Sequence, residues 1–478
     1  MRIAFVYAGI ATIGWNSYNK FGRGLDDYYA IPQGIAYLRA LLLQDGRHEA
    51  DIIDFRMLSG PEEYREKLLD GKYDVVGISC LTPSRDYAVL AAEIAKELGM
   101  TTLAGGVHAS ALPDDFAGTG FFDCVVVGEG EITLFEILEM IQQGKELPRI
   151  YRTVNYVKDL DALPFPATAY LPTYEHAFEA NDGLAGITAS RGCPGRCKYC
   201  WPNQYVMYGT KSIRWRTAKN IVEEMLYLKT HFPIKLITFY DDTFSWNKKW
   251  LREFRDHVRE IRQNGVDIPP IAVNARANTF DNEVAEILKE LGCVGVWFGF
   301  ESGSPNILKI LNKGCTLEQN IRAAKICREA GFDVNANILV GIPGETKKDY
   351  LLTYKFLKTI QPNNVRYNVL SPYPGSQFYE ELAPQGLIDV QKYQDYDVAT
   401  PHLTGKGVIR NVDYSLVMKW ANPFRSLAEA TRLKRQNHPL LAKAFVLAWR
   451  LRALPLPDKI LLPVVDALGR MYPYLKRA

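Results

Sequence analysis

Short apolar runs, each followed by glycine or a small polar residue and then by an amphipathic stretch, recur along this chain in two series. That alternation restricts it to α/β architectures built on parallel strands. The first series has runs at Ile3–Tyr7, Ala50–Phe55, Val75–Ser79, Thr101–Gly105 and Cys124–Gly128, with helical patterns such as Ile31–Leu43 and Asp86–Leu98 between them. Ala8-Gly9, Ser79-Cys80, Gly105-Gly106 and Gly128-Glu129-Gly130-Glu131 mark carboxyl ends of these strands, where open parallel sheets bind ligands. Residues 1–147 are therefore expected to form an open parallel sheet. Residues 148–183 contain Leu163-Pro164-Phe165-Pro166-Ala167 and Leu171-Pro172-Thr173 and read as a linker. The second series predicts strands at Leu184–Ser190, Lys235–Tyr240, Ile271–Asn274, Val294–Phe300, Asp333–Leu339 and Val365–Leu370, with helices such as Lys219–Thr230 and Trp246–Gln263 between them. Six such units over 184–376 imply a partial parallel barrel with its chemistry at the carboxyl-terminal rim. Residues 377–478 read as mainly helical, broken by Pro439, Pro455, Pro457 and Pro463.

At 478 residues the chain is too long for one core, and a net charge of +3 gives no footprint for a nucleic-acid partner. No run of 18 apolar residues predicts a membrane span, and Met1–Tyr7 reads as a first strand rather than a signal peptide, so the expected location is cytoplasmic. Eight cysteines, five of them scattered, favour a metal or redox site over a disulfide framework. The other three stand together in Arg191-Gly192-Cys193-Pro194-Gly195-Arg196-Cys197-Lys198-Tyr199-Cys200, directly after the first strand of the second series. Thiolates bind iron tightly, and a short loop brings Cys193, Cys197 and Cys200 to one iron–sulfur cube with one iron left open for a ligand. A structural zinc site would need a fourth Cys or His at finger-like spacing, and none stands nearby.

The C-x3-C-x2-C spacing with an aromatic before the last cysteine resembles the signature of radical S-adenosylmethionine (SAM) enzymes. Further segments fit that superfamily in order: Phe239-Tyr240-Asp241-Asp242-Thr243-Phe244, Asn274-Ala275-Arg276, Gly299-Phe300-Glu301-Ser302-Gly303, Asn337-Ile338-Leu339-Val340-Gly341-Ile342-Pro343-Gly344-Glu345 and Ser371-Pro372-Tyr373-Pro374-Gly375-Ser376. The resemblance implies a TIM-like partial barrel in which Cys193, Cys197 and Cys200 hold a [4Fe–4S] cluster. It implies SAM contacts from Tyr199, Asp241 (amino group), Arg276 (carboxylate), Glu301 (ribose) and Asn337 (adenine). The superfamily's usual Gly-Gly-Glu after the second strand is replaced by Tyr240-Asp241-Asp242, which leaves the amino-group ligand open.

The first domain is similar to the Rossmann-like cobalamin-binding domain of one large radical SAM subfamily. The resemblance is carried by Ile31–Leu38, Gly77-Ile78-Ser79-Cys80-Leu81-Thr82, Gly105-Gly106-Val107-His108, Val127-Gly128-Glu129-Gly130-Glu131 and Asp159–Pro166. It implies cobalamin contacts from Ser79, Thr82, Gly105, Gly106, His108, Gly128, Glu129 and Gly130. The D-x-H-x-x-G motif that supplies a cobalt-binding histidine elsewhere is missing, so His108 is expected to order its loop by hydrogen bonding rather than to coordinate cobalt. The activity so implied is methylation of an unactivated carbon through a 5′-deoxyadenosyl radical and methylcobalamin, driven by an external one-electron reductant. The substrate would be a small molecule, with a lipid or other hydrophobic metabolite as one option. A cobalamin-dependent cyclase or oxidase is the alternative within the subfamily, and an iron–sulfur or cobalamin sensor is the alternative outside enzymes. From Ser415 to Ala478 there are 12 Lys/Arg against 3 Asp/Glu. Helices of that composition either lie on an anionic membrane face as a peripheral contact or pack on the barrel with their charges at the rim; the second is preferred.

Overall fold

Two six-stranded parallel sheets organise the molecule, which was analysed as a computed structural model. The structure describes residues 1–9, 30–200, 213–398, 400–424, 426–427 and 430–431. The first sheet comprises β1 (Arg2–Tyr7), β2 (Glu49–Asp54), β3 (Val75–Ser79), β4 (Thr101–Gly105), β5 (Cys124–Val127) and β6 (Ile150–Arg152), in the order β2-β1-β3-β4-β5-β6. All its pairings are parallel, and the strand order reverses between β1 and β3. Side chains alternate across such a sheet, and both faces here are buried. Ile3 and Phe5 of β1 enter the large core shared with the second half of the chain, while Ala4 and Val6 enter a separate core with Tyr64, Leu68 and the alanines of the helix Arg85–Glu97. A fully buried Phe or Ile contributes roughly 1.5–3 kcal/mol, so each face secures the register independently.

β6 lies in the stretch expected as linker, so the sheet runs past residue 147. The rest of that stretch is held by side chains rather than by regular structure. The buried Arg39 guanidinium donates to the carbonyls of Ala50, Ala169 and Leu171 at 2.7, 2.6 and 2.7 Å. The Tyr174 hydroxyl donates to Asp54 at 3.0 Å, and Asp161 accepts from the backbone and hydroxyl of Thr217, the cap of the helix Ala218–His231.

The second sheet comprises β7 (Leu184–Ile187), β10 (Leu236–Phe239), β11 (Ile271–Ala275), β12 (Cys293–Glu301), β13 (Asp333–Val340) and β14 (Asn364–Val369), paired in sequence order and in parallel. A short antiparallel ribbon, β8 (Ser190–Arg191) with β9 (Arg214–Trp215), rises from the end of β7. The expected strand Leu184–Ser190 is thus interrupted: the chain leaves the sheet after Ile187 and re-pairs with its own return. Beyond the barrel, the helices Gln377–Leu382 and Tyr414–Ala421 are short. Among the described residues no helix is long and apolar enough to cross a membrane. The basic tail from 436 onward lies outside the described residues.

Candidate active site

Two cavities open at the carboxyl ends of the two sheets. The first, about 390 Å³, lies over β1, β3, β4 and β5. Its wall combines Phe5, Leu103 and Val126 with a glycine-rich rim, including Gly105, Gly106, Gly128 and Gly130. Gly106 sits at φ +89°, and a Cβ there would lie 2.9 Å from the Cys80 nitrogen and 3.0 Å from its carbonyl oxygen, so only glycine lets β3 and β4 end this close together. A Cβ on Gly105, by contrast, would meet nothing within 4 Å.

Of the residues expected around this cavity, Ser79, Gly105, Gly106, Gly128, Glu129 and Gly130 line it, whereas Thr82 and His108 do not. His108 is fully buried on the opposite side of the rim. Its Nδ1 lies 3.3 Å from Thr82 Oγ1 and its Nε2 3.1 Å from Asp115 Oδ2, with Phe116 and Tyr393 edge-on to the ring. The turn at Gly106 starts the helix Gly106–Ala111 and directs the imidazole inward. In this structure Thr82 and His108 pack away from the cavity, bonded to each other and, through His108, to Asp115.

The second cavity, about 860 Å³, lies at the rim of the barrel and is lined by Cys193, Cys197, Cys200, Tyr199, Asp241, Arg276, Glu301 and Asn337 together with Asp242, Trp297 and Lys313. Every residue expected there is brought to it. Cys193 and Cys197 are half-buried and Cys200 is exposed, while the remaining five cysteines are buried. Although Cys200 is exposed as a residue, the atoms crowded round its sulfur desolvate it, and this, followed by the charges of Asp242, Cys197 and Cys193, pushes the thiol up to about 12. Among the described residues no three Cys, His, Asp or Glu side chains close on one point tightly enough for a mononuclear ion.

Three of the polar groups differ in detail from expectation. Asp241 is 1% exposed, and although it lies in the cavity wall its oxygens accept from the Ala189 N–H at 3.0 Å and from the Ser190 hydroxyl. Burial raises its carboxyl to about 6, against those hydrogen bonds. Its neighbour Asp242 faces the cavity. Arg276 points at the cysteine loop, with Nη1 3.6 Å from Cys197 Sγ and Nη2 on the Lys313 carbonyl. Glu301 holds a left-handed backbone (φ +62°), a costly conformation for a residue with a side chain, and accepts from the Tyr199 hydroxyl at 2.8 Å and from Lys313 Nζ at 2.9 Å. Gly299 leaves room for this pair, since a Cβ there would sit 2.5 Å from Glu301 Oε1 and 2.7 Å from Lys313 Nζ. Burial alone would lower the Lys313 ammonium, but the charge and hydrogen bond of Glu301 together with the charge of Cys197 outweigh it, and the group is raised. Lys313 was not singled out from sequence, because a lone lysine after the helix Pro305–Ile310 carries no spacing signal.

Tyr240 and Asp242 line both cavities, so the two chambers share a wall. Residues 187–357 match the model of the radical SAM superfamily and residues 26–138 that of the B12 binding domain. The chain is 31% identical over 391 residues to an uncharacterized methyltransferase of Pyrococcus horikoshii, spanning 77% of this chain and 82% of that protein. It is 25% identical over 394 residues to the anaerobic magnesium-protoporphyrin IX monomethyl ester cyclase of Rubrivivax gelatinosus, spanning 77% and 69%. The solved structure of the radical SAM methyltransferase TsrM from Kitasatospora setae, with cobalamin and a [4Fe–4S] cluster bound, superposes with a TM-score of 0.63 at 17% identity, covering 98% of this chain and 99% of that one. The chain belongs to the radical SAM superfamily, in the branch that carries an amino-terminal B12-binding domain.

Proposed function

We propose that the protein is a cobalamin-dependent radical SAM methyltransferase acting on an unactivated carbon of a small molecule. The observation that carries this reading is the wall shared by an apolar, glycine-rimmed cavity and a thiol-rimmed one. The residues present fit the groups the family uses. Cys193, Cys197 and Cys200 crowd thiols and the Asp242 carboxylate onto one rim, a donor set that needs a cationic centre to be held ionised. The apolar floor and glycine-rich rim of the other cavity suit a large flat macrocycle, and among the described residues no histidine lines it.

When bound, the cluster with SAM supplies a carbon-centred radical and cobalamin supplies the methyl group. The chain's own residues position and protect. Asp242 is the carboxylate free to accept an ammonium, because both oxygens of Asp241 are used within the protein. Glu301, fixed by Tyr199 and Lys313, presents a rigid acceptor for hydroxyl groups, and Asn337 lies beside Gly299 across the β12–β13 register. Arg276 places positive charge beside the Cys197 sulfur. The electron comes from an outside one-electron donor.

Anaerobic reconstitution tests the reading: the protein should take up about four irons per chain and bind cobalamin. A Cys193→Ala/Cys197→Ala/Cys200→Ala variant should lose the iron and keep the cobalamin. Labelled methyl from SAM should reach a metabolite that disappears when the gene is deleted. SAM turnover with an oxidised but unmethylated product would favour the cyclase or oxidase alternative, for which the Rubrivivax relative speaks. Cofactor binding with no SAM turnover by the reduced protein would favour a sensor.

A further inference from the structure

A buried ion cluster ties the rim of the first cavity to the base of the cysteine loop. Glu129 and Glu131 belong to the loop Gly128–Glu131 that lines that cavity. Arg191 stands on β8, two residues ahead of Cys193, and Arg214 is its cross-strand partner on β9. Arg191 Nη1 is 3.3 Å from Glu129 Oε1, and its Nη2 is 2.6 Å from Glu131 Oε1. Arg214 grips Glu129 through both terminal nitrogens, one of them at 3.1 Å from Oε2. The four side chains are between 5% and 15% exposed, and the guanidinium groups lie over the rings of Tyr37 and Tyr156 at 5.3 and 5.1 Å. The chain that carries the three cysteines leaves on β8 and returns on β9, so one carboxylate, Glu129, holds both stems of the loop.

We propose that this clasp makes binding in the two cavities cooperative, with Arg191, Arg214, Glu129 and Glu131 as positioning residues; the inference rests on the reading of the cavities as cobalamin and SAM–cluster sites. A molecule seated in the first cavity touches Gly128–Glu131, Arg191 and Gly192 directly. It therefore orders the stems from which Cys193 projects. A ligand on the cluster orders the same stems from the other side. Whichever arrives second finds part of the ordering already done and binds more tightly. The clasp is neutral overall, two acids against two guanidinium groups, so it transmits position without adding net charge to either cavity.

The test uses full-length, cluster-reconstituted protein kept oxidised so that SAM is not consumed. SAM affinity is measured by equilibrium dialysis with and without saturating hydroxocobalamin, and cobalamin affinity with and without SAM. Cobalamin should tighten SAM about fivefold or more, and SAM should tighten cobalamin by the same factor. Glu131→Gln, which removes the charge facing Arg191 but keeps the size, and Arg214→Lys, which keeps the charge but loses the two-nitrogen grip on Glu129, should bring both factors toward one. Cobalamin that binds yet leaves SAM affinity unchanged within about twofold overturns the inference and leaves the proposed function standing. Failure to bind cobalamin overturns both. Undiminished coupling in folded Glu131→Gln and Arg214→Lys, judged by near-ultraviolet circular dichroism, overturns the clasp as its carrier. If both variants unfold, Glu129→Gln, which weakens the contact shared by Arg191 and Arg214, is read in the same two titrations, and undiminished coupling in it overturns the clasp.

Discussion

Replacing Gly105 with leucine places a side chain into the first cavity without disturbing its frame. The backbone at Gly105 is extended (φ −146°), a conformation open to any residue, and a Cβ there meets nothing within 4 Å. Packing a leucine side chain on the apolar wall contributes up to roughly 1.5–3 kcal/mol, so the fold should not weaken. The loss falls on the cofactor. Holding a rigid ring off about 100 Å² of apolar wall costs roughly 2.5 kcal/mol at ~25 cal/mol per Å², which is about a hundredfold in Kd. Cobalamin titration followed by visible absorption, beside thermal melting, measures both effects. The contrast is Gly106→Ala, where positive φ and the 2.9 Å approach to the Cys80 backbone predict a lowered Tm before any question of binding. A folded Gly105→Leu protein that binds cobalamin with wild-type affinity would refute the assignment of this cavity.

Asp242→Asn should weaken SAM binding by roughly 1.5–3 kcal/mol, the worth of a charge-assisted hydrogen bond, whereas Asp241→Asn should lower Tm and leave SAM affinity nearly unchanged; calorimetric titration and melting separate them. His108→Ala should lose stability, since the ring is fully buried, yet leave cobalamin affinity and an electron-paramagnetic spectrum of bound cob(II)alamin without axial nitrogen splitting; splitting that vanishes in the variant would restore His108 as a ligand. Burial raises the Glu345 carboxyl from its ordinary 4.5 to about 7, against hydrogen bonds from Tyr350 and the Ile342 and Gly341 N–H groups. The folded state then holds the proton more tightly than the unfolded chain, so this group's stabilisation is present below about pH 4.5 and is lost as pH rises through about 7. Glu345→Gln should therefore flatten the fall in Tm across that window, and an unchanged slope would contradict it.

The strands were legible because their apolar runs are bounded by glycine or small polar residues: β3 and β4 stand where the pattern put them, β7 ends three residues early at Ile187, and the other expected strands differ by a residue at one or both ends. β6 escaped because three residues, Ile150–Arg152, on the edge of a sheet carry too little pattern to stand out from a proline-rich stretch. The thiol loop was legible because its chemistry is local. Asp241 and Asp242 were not separable, since adjacent residues of extended chain face opposite ways and only the curvature of the sheet tells which way is inward. That His108 does not line the cavity could not be read from sequence, because nearness to Gly105-Gly106 along the chain is not nearness in space once Gly106 turns it. Glu129 and Arg191 lie 62 positions apart, and no periodicity links an acid in one sheet's loop to a base in another's ribbon.

At the junction of β3 and β4 main chain meets main chain: the Cys80 N–H donates to the Gly105 carbonyl at 3.1 Å, and the His108 N–H donates to the Cys80 carbonyl at 3.1 Å. A border drawn in peptide groups is indifferent to which side chains its residues carry, except where a Cβ would break it. Drift in sequence can therefore erase the compositional trace of such a cradle while its outline persists, much as a mould survives repainting. Saturation mutagenesis across Ser79–Thr82 and Gly105–His108 would record that asymmetry directly. Intolerance should concentrate at Gly106, where the chain itself is the obstacle, and Gly105 should accept side chains freely in a selection for folding and reject large ones in a selection for cofactor.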